Sequence, residues 1–479
     1  MKKGEILNPD WLNQLPQNDP ATLLEVATEK IRHLDLHGPE RLHWLVLVDD
    51  ALRLPAETLL HQFADAHRLT AEDEIHFWEA GRVYHDLIAS SLAALLGNIT
   101  NKSISAENAP EIVTRTLYHR GLSALWRHLR YVPFPEGWWL ETHKIYAFAE
   151  REQISTTEVK TAGAATPSYP AAQYLQLLLL DTPNRTNMTR HQIVALSDWL
   201  KNQVDAIALE RDFDEDAQLF FVKLDEDMAG RRIRNFEPSP ACRYWRTDSL
   251  IAEIEIDLEK SDSGQSHAID AGLMRQIHVE WSRNGYKRQR RNGDRTDVQK
   301  KASVAHGIYA VCQEVHSQAL GSTHLSLEGE IWVIENESPN GLGALVSAEL
   351  NTWLKIGRLM TLREEMNFGM SEVAVIRSLQ HREGGKIYVG AEILSYMALY
   401  ASFQDWPPNG TSPYPGLFLS SDPERAIPSS LIIPAIAYPP DTELRLKLDR
   451  RLRIVKLGKL IEHKDDWYRV AVEILEDIS

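Results

Sequence analysis

The chain has 479 residues, which is enough for three or four ordinary domains. Its hydrophobic fraction of 43% and charged fraction of 25% exclude a disordered chain, and its net charge of −16 argues against a surface that tracks nucleic acid. No apolar run approaches the ~18 residues needed to span a bilayer and no signal-like stretch follows Met1. Cys242 and Cys312 belong to no C-x-x-C pair, so disulfides and thiolate metal sites are not expected. A soluble, cytoplasmic protein without membrane insertion is the expectation.

Residues 1–210 read as a helical domain. Ile88, Leu92, Leu95 and Leu96 recur at helical spacing, and Gly97 offers a left-handed stop. Val113, Leu117, Leu122, Leu125 and Leu129 make a second stripe. Thr189 and Gln192 form an expected capping box, with Ile193, Leu196, Leu200, Val204 and Ile207 behind it. Between these stripes, residues 154–170 are rich in Thr, Ala, Ser and Pro and read as a loop.

Residues 211–268 read as a mixed segment and linker, with a strand at 219–224, a helix-or-strand stretch around Ile251, Ile254 and Ile256, and a polar boundary at 260–267. A short helix at 273–281 follows. Segments 305–312, 331–334, 359–363, 373–379 and 387–394 are rich in β-branched and aromatic residues, with Asn340-Gly341 and Gly384-Gly385 as turns. They predict a small antiparallel barrel, which with its lead-in helix spans 269–397. Prolines in 405–440 exclude long helices there, and alternation at 444–448 and 468–472 predicts a smaller β domain over 398–479. The expected fold class is therefore multi-domain α+β.

Against the acidic whole, residues 283–301 carry eight Lys and Arg against two Asp, a local charge of +6. Such a patch suits a compact anion better than a polymer. Within it lie Arg290, Arg291 and Arg295, the last two in R-x-x-x-R spacing, and Asn336, Ser338 and Gly341 follow in N-x-S-x-x-G. Arginine forks grip phosphate or the O6/N7 edge of guanine in bidentate fashion, and their flat faces stack on bases. Asn336 and Ser338 add a carboxamide and a hydroxyl, and Gly341 permits close backbone approach or a positive φ. Taken singly, a charge run is usually solvated surface and N-x-S-x-x-G a common turn.

Together the two motifs resemble the signature of PilZ domains, bacterial receptors for cyclic di-GMP. The resemblance covers about residues 285–397: the arginine motif precedes the strand segments, 331–335 runs directly into Asn336, and 354–362, 373–377 and 388–393 resemble later strands of the family's six-stranded barrel. The 41 positions between Arg295 and Asn336 call for an inserted loop near 314–329, and Asn336 stands where Asp is commoner. The resemblance implies a cyclic di-GMP receptor that signals by conformational change. Arg291 and Arg295 would hold guanine and phosphate, Asn336, Ser338 and Gly341 the other base, and Arg290 would add a phosphate contact. It implies no catalytic residue, metal or cofactor, and suggests a protein partner for the helical domain. A like-charged segment 284–295 is expected to be ordered by the ligand.

Two other readings compete. A PilZ-like barrel could serve as a protein-interaction scaffold without nucleotide. His85-Asp86, with His61 and His76, is faintly similar to an HD-type metal phosphohydrolase. Asp212, Asp214 and Asp216, and the run 225–227, lack the glycine and closing glutamate of a calcium loop and read as solvated loops. Trp44, Trp138 and Trp139 read as core aromatics.

Overall fold

The structure is a computed structural model that describes residues 11, 18–65, 69–161, 166–183, 185, 188–234, 237–262, 270–283, 295–320, 330–351, 353–364, 371–382, 384–407, 412–421, 428–435, 442–448, 451–464 and 466–478. Two compact units divide the chain, residues 1–288 and 289–479.

The first unit is helical. Its elements are α1 (Pro20–Arg32), α2 (Gly38–Asp65), α3 (Ala71–Ala94), α4 (Leu96–Thr100), α5 (Ala109–Leu129), α6 (Trp138–Arg151), α7 (Pro170–Asp181) and α8 (Arg190–Lys201). The capping box opens α8 as the sequence predicts: Thr189 Oγ1 accepts from Gln192 N, and the Gln192 side chain accepts from Thr189 N. Gly97 does not end a helix; it lies inside α4, after α3 has closed at Leu95. Val204 and Ile207 lie beyond the end of α8, with Val204 in a separate turn of 3-10 helix.

Helix α5 packs against α3, α6, α7 and α8 and is buried nearly all round, so its polar side chains must find partners inside. Arg115 bonds Asp49, Asp50 at 2.8 Å and Glu111 at 3.0 Å, tying α5 to α2. His119 Nε2 meets Asp49 Oδ1 at 2.9 Å, and Arg127 donates to Asp86 of α3 at 2.7 Å. Around this lattice lie the aromatic core residues Trp44, Trp126, Trp138, Trp139, Trp245 and Trp281, which bears out the core reading of the tryptophans.

A three-stranded antiparallel sheet of order β2-β1-β3 completes the unit with α9 (Asp248–Asp262) and α10 (Ala271–Trp281); its strands are β1 (Phe220–Lys223), β2 (Arg231–Arg232) and β3 (Cys242–Trp245). The stretch around Ile251, Ile254 and Ile256 is wholly helical, within α9. Asp227, expected in a solvated loop, instead caps α6. Its carboxylate accepts from the backbone N–H groups of Gly137 (2.6 Å), Trp139 (3.0 Å) and Leu140 (3.1 Å), which lowers its pKa and satisfies donors that Gly137, without a side chain, cannot. No helix among the described residues is long and apolar enough to cross a membrane.

The second unit holds two closed six-stranded antiparallel barrels. The first runs β4 (Thr296–His306), β5 (Glu330–Ser338), β6 (Gly341–Ser347), β7 (Leu359–Glu364), β8 (Glu372–Arg382) and β9 (Lys386–Ser395), in the order β4-β5-β6-β9-β8-β7 with β7 returning to β4. Gly384 (φ 73) and Gly385 (φ 66) make the β8–β9 turn in the left-handed region, as the Gly-Gly pair predicts. Of the segment 305–312, only Ala305 and His306 are strand, and they end β4. β4 stops at His306, Gly307 turns with φ 82, and α11 (Ile308–Ala319) begins at once. Residues 314–319 of the expected inserted loop belong to this helix, and 321–329 lie outside the described residues.

The second barrel runs β10 (Leu399–Asp405), β11 (Tyr414–Leu419), β12 (Ser430–Pro434), β13 (Glu443–Leu448), β14 (Arg451–His463) and β15 (Trp467–Asp477). It matches the first in strand number, so it is not a lesser β unit. Helix α11 joins the two: Ile308, Val311, Cys312 and Val315 share a core with Leu359, Val373 and Val375 of the first barrel and Leu417, Leu419, Ile432 and Trp467 of the second. Trp467 Nε1 donates to the Gly357 carbonyl at 3.0 Å, and Arg377 bridges Glu392 (2.8 Å) and Glu462.

His143, fully buried in α6, generates a pH prediction. Its Nε2–H donates to the Met228 carbonyl (2.8 Å), so Nδ1 accepts from the Tyr174 hydroxyl (2.7 Å) and the neutral ring is the one that fits. Burial pushes its pKa down from 6.5 to about 4. The folded value lies below the unfolded one, so this stabilisation is complete above 6.5 and lost as pH falls through 4. In His143→Gln, the slope of unfolding free energy against pH across that window should fall by about one proton relative to the wild type, measured by urea unfolding at several pH values. An unchanged slope would place the titration elsewhere.

Candidate site on the outer face of the first barrel

Arg295 stands immediately before β4, and Asn336 lies near the end of β5. The antiparallel ladder pairs Thr296 with Glu337 and Asp297 with Asn336, so residues 41 positions apart become neighbours. Local register then sets which way Asn336 faces. Trp332 and Ile334 are buried inside the barrel, and strict alternation would turn Asn336 inward as well. The register of β5 against β6 slips between Ile334 and Asn336, where Ile334 pairs with Ala344 but Asn336 pairs with Gly343. This bulge at Glu335 moves Asn336 to the face opposite buried Ala344.

On that outer face the two motifs meet on a third residue, Tyr388 of β9. Arg295 Nη1 donates to the Tyr388 hydroxyl at 2.7 Å, and Asn336 Nδ2 lies 3.0 Å from the same oxygen. The Arg382 guanidinium sits 5.8 Å from the centre of the Tyr388 ring. Tyr388 alternates with buried Ile387 and Val389, which fixes it outward. Its hydroxyl lies over Gly343, where an added Cβ would fall 2.0 Å from the oxygen. The bare Cα of Gly343 is thus what leaves room for the phenol oxygen.

Arg295 is exposed, and among the described residues its one hydrogen bond is to this neutral phenol, with no carboxylate paired to it. Arg382 likewise pairs with no carboxylate among the described residues; its side-chain partners are Gln380 at 3.1 Å and the Tyr388 ring. Two cations beside one phenol, with a carboxamide between the strands, form a surface able to receive a phosphate and the edge of a base.

Ser338 and Gly341 close the β5–β6 turn as a paired position, and Ser338 Oγ donates to the Gly341 carbonyl at 3.2 Å. The turn is anchored to β9 and the residue beyond it: Ile393 N donates to Asn340 O (3.1 Å) and Tyr396 OH to Pro339 O (2.9 Å). Gly341 has no left-handed φ. Its need for a bare Cα comes from the Ala391 carbonyl of β9, which a Cβ would approach to 2.7 Å. Arg290 and Arg291, and with them most of the basic run, lie outside the described residues. Within that run Lys300 is already neutralised, held by Glu337 (2.8 Å) and Glu364 (2.9 Å), whose hydrogen bonds raise its pKa.

Tyr388 and Gly343 were missed from sequence. Period-two alternation in β9 could have turned Tyr388 outward, but nothing local says that it faces Asn336.

The histidines of the phosphohydrolase reading each have partners of their own. His85 Nδ1 meets His119 Nδ1 at 2.8 Å in the core, where burial holds its pKa well below the usual value. Asp86 is engaged by Arg127 (2.7 Å) and Arg82 (3.0 Å), His61 lies 3.7 Å from Asp198, and His76 lies 3.0 Å from Glu25. Among the described residues no group of three or more His, Cys, Asp or Glu side chains is arranged to hold a metal ion.

Residues 9–215 match a protein-family model described as "Cyclic-di-GMP receptor FimW, N-terminal domain", so this stretch of the chain is similar to a domain of cyclic di-GMP receptors. No curated protein and no solved structure matches the chain.

The contact at Gly341 makes a structural prediction. In Gly341→Ala the new Cβ meets backbone, which cannot swing aside, so the β6–β9 ladder should weaken by about 1–3 kcal/mol. Hydrogen exchange at the amides of Leu342 and Ala391 measures this; unchanged protection would mean that β9 yields freely.

Proposed function

We propose that this protein is a non-enzymatic receptor for cyclic di-GMP, with its ligand site on the outer face of the first barrel. Arg295 supplies a guanidinium fork to phosphate or guanine, Arg291 joins it from the preceding segment with Arg290 as an added phosphate contact, and Asn336, Ser338 and the turn at Gly341 receive the second base. The observation that carries this reading is the convergence of Arg295 and Asn336 on one hydroxyl, 2.7 and 3.0 Å away, in a closed six-stranded antiparallel barrel of the kind the PilZ resemblance implies. The match of residues 9–215 to a domain of cyclic di-GMP receptors supports the same ligand from a different part of the chain.

In this reading the receptor works in the cytoplasm, ligand binding shifts its conformation, and the helical unit passes the signal to a protein partner. A ligand shifts such an equilibrium only by its differential affinity for the two arrangements.

Calorimetric titration of the full chain with cyclic di-GMP tests the assignment. A hydrogen bond to a charged group is worth roughly 1.5–3 kcal/mol, so Arg295→Ala and Arg291→Ala should each weaken binding by about ten- to a hundredfold or more. Arg295→Lys should recover little, because an ammonium cannot form the fork. Wild-type affinity in both alanine variants, or a wild type that gives no heat, would overturn the proposal.

A further inference from the structure

We infer that Tyr388, which belongs to neither motif, is a positioning residue of the dinucleotide site: its hydroxyl holds the Arg295 guanidinium and the Asn336 carboxamide at one point before ligand arrives. The inference rests on the reading of this face as the cyclic di-GMP site.

The geometry argues for positioning. Arg295 is exposed, and its only hydrogen-bond partner among the described residues is the Tyr388 oxygen. A free arginine on a surface samples many rotamers, and fixing it on binding costs affinity. The phenol takes one N–H of Nη1 at 2.7 Å and leaves the Nε–Nη2 edge, with its two parallel donors, for a bidentate grip. The same oxygen sits 3.0 Å from Asn336 Nδ2, so one atom sets the spacing of the two motif halves.

The phenol is itself held. Its strand neighbours Ile387 and Val389 are buried, and its hydroxyl lies above Gly343, the position where any side chain would collide with it. Gly343 pairs directly with Asn336 across β5 and β6, so the space for the phenol and the carboxamide's place come from the same pair of residues. A tyrosine there for packing alone would need neither a bare residue beneath its oxygen nor two donors converging on it.

The test is a double-mutant cycle on the full chain, with cyclic di-GMP binding read by calorimetry. Tyr388→Phe keeps the ring and removes only the oxygen, so thermal unfolding should stay close to the wild type while the Kd rises about three- to tenfold, the range for one lost hydrogen bond. Arg295→Ala alone weakens binding more. If Tyr388 acts through Arg295 as well as Asn336, its loss shrinks on top of Arg295→Ala, because the oxygen has no guanidinium left to hold. Two outcomes sink the inference while leaving the ligand assignment intact: Tyr388→Phe binding as tightly as the wild type, or its loss appearing in full on top of Arg295→Ala. A wild type that binds no cyclic di-GMP removes the site and this role together.

Discussion

The candidate site depends on one constraint, the antiparallel register that closes the first barrel. Six strands can close only if β4 pairs with both β5 and β7, and the β4–β5 ladder sets Thr296 against Glu337. A shift of that ladder by one residue would turn every side chain of one strand to the other face, emptying the core and dismantling the site at once. The buried set Trp332, Ile334, Ala344, Leu362, Val375 and Val389 therefore enforces the meeting of Arg295 and Asn336, although none of these residues carries the chemistry. The bulge at Glu335 adds the one departure from alternation that the site needs, and it lies next to Asn336.

The strand that carries Tyr388 also belongs to the junction with the second barrel. β9 offers its carbonyl at Ala391 to the space beside Gly341, its N–H at Ile393 to Asn340, and its carboxylate at Glu392 to Arg377. Arg377 in turn holds Glu462 of β14; burial alone would lower its pKa, but the Glu462 and Glu392 carboxylates more than offset this and raise it, so it stays charged throughout the working range. With α11 and Trp467 packed between the barrels, the second barrel braces the strand on which the site's turn rests. In the proposed site this turn receives a base, and such bracing leaves a ligand fewer residues to order.

Much of this was legible from sequence where the signal is local. The capping box at Thr189 and Gln192, the alternation at 444–448 and the Gly-Gly turn are read from a few adjacent residues, and each stands in the structure. Signals that depend on what arrives from elsewhere in the chain were not. Ile308 and Val311 are β-branched and suggest a strand, yet with Val315 they line one face of α11 because the apolar gap between two barrels rewards a helical stripe there. The capping role of Asp227 rests on a helix start some 90 residues upstream, and the outward turn of Asn336 on a bulge visible only once β6 is paired. The two motifs could be found by pattern; the phenol between them could not.

The described arginines differ in what they pair with. In a chain of net charge −16, carboxylates outnumber the cations that could hold them, and many arginines are taken up internally. Arg115, Arg127, Arg190 and Arg243 each hold a carboxylate within the helical unit, and Arg358 and Arg377 do the same around the second barrel. These pairs are buried or half-buried, where an unpaired guanidinium would be costly. Arg41 and Arg53 are held by neutral groups instead, and so are Arg295 and Arg382, which share one patch and meet at a single tyrosine. Among the described residues these last two cations pair with no carboxylate, and both keep their Coulombic attraction for an anion that comes from outside. The helical unit, matched over 9–215 to a receptor domain, has engaged its buried arginines in holding helices together.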